Sequence, residues 1–233
     1  MDFRLMERNS ALVEWMDKPD CDPDLLVNTY RQFTMINKLL SGWGGIYRKI
    51  IRPLLLSCST TPSILDIGCG GGDILRYLKQ RCEADGIEAR FTGIDPDSRS
   101  MDYLSGLPPD PAIHYRNITS SELLSEGSKF DLVLSNHLMH HLTDSGLLQL
   151  LKESDLLSKK MVLFSDIERN RMGYSLFRMF APLLFRNSYI VEDGLISIQK
   201  SYKKKELSSL IPEEFGVERK FPFRILLIKD KTV

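Results

Sequence analysis

Residues 64–73 read ILDIGCGGGD: apolar β-forming residues surround Asp66, and glycines then occupy positions 68, 70, 71 and 72. Glycine loses more chain entropy on folding than any other residue, so a turn this rich in glycine needs a reason. The turn follows a predicted strand and opens a predicted helix, an arrangement that lets a ligand approach bare backbone near a helix N-terminus. The stretch therefore favours a ligand-binding turn, at the carboxyl edge of a sheet, over a simple tight turn.

Short apolar runs alternate with amphipathic helical patterns along the chain from this turn onward. The predicted strands are SILDIGC, ARFTGIDPD, AIHYRNI, KFDLVLSN and KMVLFSDI, followed near the end by VERKFP and FRILLIKD. Near-continuous apolar strands that alternate with helices are typical of a parallel sheet covered on both faces. We therefore predict an α/β fold with a doubly wound, mostly parallel, seven-stranded Rossmann-like sheet. A hairpin between the last two strands, turning at Phe221-Pro222, would give one antiparallel edge.

The chain is expected to form a single domain with four parts. These are a helical N-terminal cap (1–57), a cofactor-binding core (62–166), an insert after strand five (167–199), and a C-terminal helix with two strands (200–233). Within the cap, LMERNSALVEWMD predicts a first helix, and the pattern after Asp22 predicts a second, with Asp22 as its N-cap and Pro23 at its first position. GWGG (42–45) predicts a break before a third helix.

Composition argues against several classes of function. Lys and Arg together number 31, as do Asp and Glu, so the formal net charge is +0 and no nucleic-acid partner is expected. The four cysteines form no CxxC pair and no cluster with histidine at zinc-ligand spacing, so no metal site is predicted. The start, MDFRLMERNS, lacks a signal-peptide core, and no window reaches the ~18 apolar residues of a membrane span. These features favour a cytoplasmic protein with reduced thiols.

Two carboxylates near the glycine turn indicate which ligand it holds. Asp66 lies at the end of the first strand, where it suits an ammonium group and is an awkward neighbour for a pyrophosphate. Asp95, in GIDPD at the end of the second strand, suits the two hydroxyls of a ribose because a carboxylate accepts two hydrogen bonds in a fork. A nucleoside that carries an amino acid offers both groups, whereas a dinucleotide lacks the ammonium. The pair therefore favours such a nucleoside over NAD.

These motifs resemble those of the class I S-adenosylmethionine-dependent methyltransferases. LDIGCGGG is similar to the first motif of that family, GIDPD to its ribose-binding acidic motif, and FDLVLSNHLMHHL to its fourth-strand motif. INKLLSGWGGIYRKI resembles a segment of the quinone-biosynthesis C-methyltransferases that closes over the cofactor. The helical N-terminus and the insert resemble small bacterial methyltransferases encoded beside type III polyketide synthases. The resemblance implies the methyltransferase fold and S-adenosylmethionine as the cofactor.

The resemblance also implies cofactor contacts for individual residues. The methionine part would be lined by Asp66, Gly68 and Gly70, with Cys69 between the glycines, and would be faced by Asn136; the ribose would be held by Asp95; the adenine would lie against Pro96, Asn117 and Ile118. The family often has aspartate at the position of Asn117. An amide oxygen there can still accept a hydrogen bond from the adenine amino group.

Three of the four histidines, His137, His140 and His141, lie in SNHLMHHL after the fourth strand. A histidine near its ordinary pKa suits proton abstraction from a phenol or an enol at this edge of the sheet. His140 and His141 are adjacent, so in a helical turn they point about 100° apart and at most one easily faces the site. We predict that one of these two is the catalytic base and that His137 is structural. Asp166 and Glu168, after the fifth strand, either reach the acceptor or cap the insert.

The insert carries the evidence about the acceptor. YSLFRMFAPLLF (174–185) concentrates aromatic and aliphatic side chains, and Arg171, Arg178 and Arg186 lie in or beside it. The insert forms either extra core against the N-terminal helices or an apolar lid over a hydrophobic acceptor. A lid of this kind also suits peripheral contact with a membrane surface.

The sequence therefore predicts an S-adenosylmethionine-dependent methyltransferase that acts on a small, hydrophobic acceptor by O- or C-methylation. A phenolic compound, a quinol or a polyketide would fit. The alternatives are a protein or RNA methyltransferase and a non-catalytic S-adenosylmethionine-binding subunit. Neutral charge weighs against RNA, and SNHL in place of an NPPY-type tetrapeptide weighs against amide or exocyclic-amine targets. The acceptor itself and the oligomeric state stay open.

Overall fold

The computed structural model of the protein describes residues 5–232 and contains a seven-stranded sheet between layers of helices. The strands are β1 (Ser63–Ile67), β2 (Arg90–Ile94), β3 (Ile113–Arg116), β4 (Phe130–Asn136), β5 (Ser158–Ile167), β6 (Gly216–Lys220) and β7 (Arg224–Asp230). The helices are α1 (Pro23–Leu40), α2 (Trp43–Ile46), α3 (Arg52–Leu56), α4 (Asp73–Ala84), α5 (Ser98–Ser105), α6 (Ser120–Ser125), α7 (Asp144–Leu157), α8 (Arg171–Leu184), α9 (Ile190–Lys200) and α10 (Lys204–Leu210). A π-helical stretch (Tyr47–Ile51) joins α2 to α3, and a 3₁₀ turn (Met139–His141) follows β4.

The strands lie in the order β3-β2-β1-β4-β5-β7-β6. β1 is parallel to β2 and β4, β2 to β3, and β4 to β5, whereas β7 is antiparallel to both β5 and β6. The predicted doubly wound α/β fold and its C-terminal hairpin are confirmed. The antiparallel strand is not at the edge, however, because β7 lies between β5 and β6. Its Ile225, Leu226 and Leu227 are almost fully buried, so the apolar strand takes the inner position and the more exposed β6 forms the edge.

The core lies on both faces of the sheet. All five residues of β1 are buried. Neighbouring residues of a strand point to opposite faces, so Ile64 packs with Trp43 and Leu75 on one side, whereas Leu65 packs with Leu151 on the other. The helices on the two faces hold the sheet, and its carboxyl edge stays free for the site.

The N-terminal segment, residues 5–22, is a series of turns and not the helix that its apolar spacing predicts. Its backbone is bonded to distant parts of the chain. The Asn9 N–H donates to the Gln199 carbonyl at 3.2 Å, and the N–H groups of Trp15 and Met16 donate to the Asp193 carboxylate at 2.6 and 3.0 Å. These partners satisfy backbone groups that a helix would otherwise pair. Residues 1–4 of the predicted cap lie outside the described residues.

α1 begins as predicted, because Asp22 Oδ1 accepts hydrogen bonds from the backbone N–H groups of Asp24 and Leu25, and Pro23 is its first residue. The break predicted at GWGG is shorter than expected. Gly42, with a φ of 68°, precedes α2, and the next three residues already belong to that helix. Trp43 is only 2% exposed, and burial of this large side chain outweighs the low helix propensity of the two glycines that follow it.

The insert folds into α8 and α9. Asn170 caps α8, since its side-chain oxygen accepts hydrogen bonds from two backbone N–H groups of the first turn. Phe185 and Ile190 pack against Ile36 of α1 in a small buried cluster, so this part of the insert is core. Across residues 5–232, none of the helices has the length and apolar character needed to cross a membrane.

Candidate active site

A large cavity opens at the carboxyl edge of the sheet, beside the glycine turn. Its volume is about 840 Å³, and its lining is mostly apolar. Its walls come from the glycine turn, the residues after β2, β4 and β5, α1, α8, the N-terminal segment and residues 221–224. This is the place where doubly wound folds bind ligands, and the volume lies in the range of ligand and cofactor sites.

The glycine turn has a backbone that other residues rarely adopt. The φ angle is +70° at Gly68, +49° at Gly70 and +68° at Gly72. Packing supplies a second reason at Gly72, where a Cβ would lie 2.4 Å from the hydroxyl oxygen of Tyr115. Gly68, Gly70 and the buried Cys69 between them line the cavity. The glycines therefore serve turn geometry and packing, and the close approach of a ligand stays a prediction.

Asp66 is 1% exposed and lines the cavity, and its Oδ1 has no hydrogen-bond partner among residues 5–232. Burial raises the pKa of Asp66 well above its usual range, and the carboxyl groups of Asp73 and Asp95 raise it further. A buried carboxyl group without a cationic partner is costly to ionise. An ammonium group bound against it would offset that cost, so Asp66 fits the amino group of an amino-acid-bearing nucleoside.

Asp95 follows β2 and joins two backbone turns. Its Oδ2 accepts a hydrogen bond from the Gly70 N–H at 2.8 Å, and its Oδ1 accepts one from the Asp97 N–H at 2.9 Å. Asp95 and Pro96 both line the cavity. Each carboxylate oxygen keeps a further lone pair, so both can still accept a hydrogen bond from a ribose hydroxyl.

Asn117 and Ile118 lie outside the cavity lining. Asn117 donates from Nδ2 to the Asp95 carbonyl at 2.8 Å, and Ile118 packs against the buried core on the α7 face. Asn117 therefore supports the turn that carries Asp95. The adenine contacts predicted for these two residues stay a prediction.

A chain of side-chain hydrogen bonds runs along the cavity wall from α4 to β7. Asn37 on α1 donates from Nδ2 to Asp73 Oδ2 at 2.8 Å, and its Oδ1 accepts from Asn136 Nδ2 at 3.1 Å. The Oδ1 of Asn136 accepts in turn from Arg224 Nη2 at 2.7 Å. Asn136, predicted to face the methionine part of the cofactor, lines the cavity from within this chain. The two amides therefore stand between the start of α4 and Arg224.

His140, one of the two predicted bases, is almost fully buried between two carboxylates. Its Nδ1 lies 2.7 Å from Asp166 Oδ1, and its Nε2 lies 3.3 Å from Glu14 Oε1. Burial alone would lower the pKa of His140, but the carboxylates of Asp166 and Glu14 outweigh burial and raise it to about 9. At neutral pH His140 is therefore a cation, and it can accept a proton only after losing the one it holds.

The two acidic residues after β5 have different partners. Asp166 also accepts a hydrogen bond from the backbone N–H of His140 at 2.9 Å, so it holds that residue at two points. Glu168 forms an ion pair with Arg219 at 2.8 Å. Asn170, and neither of these acids, caps α8.

His141 is a quarter exposed and belongs to the same charged cluster. Its Nδ1 lies 3.0 Å from Asp17 Oδ2, and its Nε2 lies 3.7 Å from Glu14 Oε1. Glu14, His140 and His141 offer ligand atoms within 4.8 Å of one another, a grouping that could hold a metal ion and that sequence spacing does not predict. Lys200 Nζ lies 3.2 Å from the same Glu14 oxygen, so a metal ion would have to compete with an ammonium group already there.

His137 is held in the left-handed region of backbone conformation, with a φ of 61°. Its Nε2 lies 2.8 Å from Arg224 Nη1. An arginine can only donate, so Nε2 accepts this hydrogen bond and Nδ1 carries the ring proton. Burial and the charge of Arg224 lower the pKa of His137 well below its ordinary value. His137 is therefore neutral and fixed in orientation.

α8 covers one side of the cavity. Met172, Leu176, Phe177 and Phe180 line it. Phe177 is half-buried and packs against two of the buried clusters, whereas Phe180 is 50% exposed. The insert is thus core at some positions and cavity wall at others. Arg171, Arg178 and Arg186 are all exposed.

Sequence reasoning missed Glu14, Asn37, Lys200 and Arg224. Glu14 falls in a segment predicted as helix, and Lys200, the last residue of α9, is 186 residues away, so no local pattern brings them together. Arg224 did leave a signal, because it is a charged residue that directly precedes the apolar run ILLI at the start of a strand. A charge at that position, at the edge of the sheet that holds the ligand, indicates a role in the site.

Comparison with known sequences agrees with this geometry. Residues 64–160 match the family model described as methyltransferase domain. The chain is similar to the ubiquinone biosynthesis O-methyltransferase of Bartonella quintana, with 26% identity over 150 residues that cover 64% of this chain and 57% of that protein. The protein of the same name from Cereibacter sphaeroides is 32% identical over 130 residues, which cover 53% of this chain and 48% of that protein. The chain thus spans about half the length of these curated relatives.

Two solved structures have a similar fold. The plantazolicin methyltransferase BpumL, in complex with SAH, has a TM-score of 0.55 and 16% identity, covering 90% of this chain and 95% of that chain. Human N-acetylserotonin methyltransferase, in complex with SAM, has a TM-score of 0.51 and 13% identity, covering 86% of this chain and 59% of that chain. At sequence identities this low, the similarity establishes a common fold alone, and that fold is the one the sequence predicts.

Proposed function

We propose that this chain, a class I S-adenosylmethionine-dependent methyltransferase by its domain match and fold, transfers the methyl group of that cofactor to a small, hydrophobic acceptor. One observation carries the proposal: a single cavity of about 840 Å³ joins Asp66, whose Oδ1 has no hydrogen-bond partner among residues 5–232, to apolar walls on α8. A cavity of that size can hold a nucleoside beside an acceptor. The names of the curated relatives favour O-methylation of a phenol or quinol.

The residues around the glycine turn fit S-adenosylmethionine. Asp66 would bind its ammonium group, and Gly68 and Gly70 would lie beside its methionine part. Asp95 would hold the ribose, and Pro96 would lie against the adenine. The bound cofactor supplies a methyl group that is already activated on a sulfonium. SAH and SAM in solved structures of similar fold support this choice of cofactor.

The protein contributes to the reaction mainly by positioning. Holding the acceptor atom and the methyl carbon in line, about 3 to 3.5 Å apart, accounts for much of the acceleration. The apolar wall of α8 would also keep water away from the site. A base is needed only if the acceptor arrives protonated. His140 or His141 would then serve, and His140 has a carboxylate behind it, Asp166, that orients its ring.

Labelled methyl transfer tests this function. The protein, with S-adenosylmethionine labelled in the methyl group, is offered 4-hexylcatechol, a total lipid extract, total RNA and a protein extract in parallel. We expect label in the catechol or the lipid extract and none in RNA or protein. Asp95→Ala, which removes the ribose acceptor, should abolish the signal, whereas Asp102→Asn on the exposed face of α5 should not.

The same experiment separates the alternatives. Label in RNA or protein alone would indicate a macromolecule methyltransferase. Binding of SAH without transfer to any acceptor would indicate a non-catalytic subunit. Peripheral contact with a membrane stays a prediction, supported by the exposed apolar side chains of α8, Met179 and Leu183 among them. A cytoplasmic location is likewise part of the proposal.

A further inference from the structure

Arg224, the first residue of β7, is a buried cation that faces only neutral partners. It is 4% exposed and lines the cavity. Its Nη1 donates to His137 Nε2 at 2.8 Å, and its Nη2 donates to Asn136 Oδ1 at 2.7 Å and to Ser165 Oγ at 2.8 Å. Its buried Nε–H has no hydrogen-bond partner among residues 5–232. Burying a charge without an opposite charge is costly unless a ligand supplies one.

The charge of the Asp166 carboxylate acts on Arg224, but this carboxylate already forms hydrogen bonds with other groups. Its Oδ1 accepts from His140 Nδ1 at 2.7 Å and from the Ile167 N–H at 2.7 Å, and its Oδ2 accepts from the His140 N–H at 2.9 Å. Burial lowers the pKa of Arg224 to about 10, so the guanidinium remains charged at neutral pH. Residues 5–232 therefore offer this cation no direct counter-ion.

His137 fixes the guanidinium of Arg224 in position. It also lines the cavity, and its Nε2 accepts the hydrogen bond from Arg224 Nη1. A guanidinium held in place in this way, with its Nε–H still free among the described residues, suits an ionised oxygen group.

Arg224 and His137 lie on the side of the cavity away from the glycine turn. Asn37 and Asn136 stand between Asp73, at the start of α4, and Arg224. The residue before Arg224 is Phe223, which packs on α8. A Cβ at Gly173 of α8 would lie 2.9 Å from the Phe223 ring. Arg224 thus adjoins the apolar wall where we place the acceptor.

We propose that the acceptor binds as an oxyanion, an ionised phenol, enol or carboxylate on an apolar body, and that the guanidinium of Arg224, held in place by His137, binds its charged oxygen. This inference rests on the proposed function and names its substrate class. A lone pair of the oxygen forms the new bond to the methyl carbon, and the methyl–sulfur bond breaks with its electron pair on sulfur. The sulfonium becomes a neutral thioether, and no proton has to be removed.

Binding of a matched acid and ester tests the proposal without turnover. The protein is loaded with SAH and titrated with 4-pentylbenzoate or with its methyl ester, which has the same body without the charge. We expect the wild-type protein to bind the acid at least about tenfold more tightly, the effect of one charge-assisted hydrogen bond. Arg224→Met should reduce that preference to within about threefold and leave SAH affinity within about threefold. Arg224→Lys should restore part of it, and the control Arg90→Met, at an exposed position of β2, should keep it in full.

Two results would overturn the inference. The first is a wild-type protein that does not prefer the acid, a comparison that needs no variant to fold. The second is an Arg224→Met protein that loses SAH and keeps its preference for the acid, which would assign the guanidinium to the carboxylate of the cofactor. Failure of the wild-type protein to bind SAH would refute the proposed function instead, so the two failures are distinguishable.

Discussion

Asp66 and Arg224 are buried ionisable side chains on opposite sides of one cavity, and neither forms an ion pair within residues 5–232. Asp66 lies on β1 and Arg224 on β7, with β4 and β5 between them. Burying these groups without an ion partner costs free energy in the free protein, and ligands of the opposite charge would offset that cost. An ammonium group on the first side and an ionised oxygen on the second would satisfy both residues.

The pKa of Asp66 makes cofactor binding dependent on pH. In the free protein, burial raises this pKa well above its usual range, so the carboxyl group keeps its proton to a higher pH than an ordinary aspartate. The ammonium of SAH favours the ionised form, so binding releases a proton, and affinity should rise with pH above the ordinary carboxyl range until the free carboxyl group is itself ionised. Calorimetry in two buffers of different ionisation enthalpy measures that proton.

Asp66→Asn should remove most of the pH dependence and weaken SAH binding by about tenfold or more, because it deletes a charge-assisted hydrogen bond. Asp102→Asn, at an exposed position, is the matched control. An affinity in the wild-type protein that does not change over this range would contradict the assignment of Asp66 to the ammonium.

The two histidines can be separated by kinetics. A base that accepts a proton from a neutral phenol should contribute about 10²- to 10⁴-fold. With a pKa of about 9, neutral His140 becomes more abundant as pH rises, so a rate that depends on it should increase up to about pH 9. His140→Gln would then lose at least about tenfold in rate together with that pH limb, with cofactor affinity within about threefold. If His140→Gln and His141→Gln both keep the wild-type rate and profile, neither histidine is the base.

At the scale of elements, α8 combines two roles along one helix. Phe177 and Phe180 both line the cavity, but Phe177 packs so tightly on α9 that a Cβ at Gly194 would lie 2.5 Å from its ring, whereas Phe180 is half exposed. The two positions are three residues apart and so lie on neighbouring parts of the helix surface. The lid and core interpretations of the insert therefore apply to different residues, and single substitutions can distinguish them.

Phe177→Ser should lower the free energy of unfolding by about 1 to 3 kcal/mol, because it opens a cavity in packed core. Phe180→Ser should change stability little and raise the KM for an apolar acceptor, with SAH affinity unchanged. Denaturant unfolding and steady-state kinetics on the two variants provide the comparison. Equal losses of stability in both would show that this face of α8 is all core.

At the scale of the whole molecule, distant parts of the chain enclose one cavity. Residues of the N-terminal segment, α1, α8 and the β6–β7 turn all line it, so much of its wall depends on tertiary contacts. Glu14 of the N-terminal segment, for example, accepts a hydrogen bond from Lys200 at the end of α9. A ligand that fills the cavity should therefore stabilise the molecule as a unit.

Ligand-induced thermal stabilisation checks this expectation. At about 100 times its Kd, SAH should add about 2.7 kcal/mol of stability. For a chain of this size that corresponds to a rise in Tm of roughly 5 to 11 °C. NAD at the same concentration should leave Tm unchanged, because it has no ammonium for Asp66. A shift with NAD that equals the shift with SAH would reject the choice of cofactor.

Much of the fold could be predicted because its signals are local. The alternation of apolar runs and helices, the glycine turn and the Asp22 cap each depend on residues close together in sequence, and the structure confirms the sheet and the cap. Asp66 and Asp95 could be placed at the site because the ends of adjacent parallel strands meet at one edge of the sheet. The class I methyltransferase prediction followed from the same short motifs.

What the sequence by itself determined was therefore the sheet, its ligand-binding edge and the carboxylates that suit the cofactor. Only the tertiary structure decided that residues 5–22 are turns, that β7 lies inside the sheet, and that Glu14 meets His140. In each feature, contacts with distant parts of the chain outweighed local propensity. These contacts are hydrogen bonds and charge pairs for residues 5–22 and Glu14, and burial of apolar side chains for β7. The same holds for Arg224, whose partners Asn136 on β4, His137 directly after β4 and Ser165 on β5 lie 59 to 88 residues away.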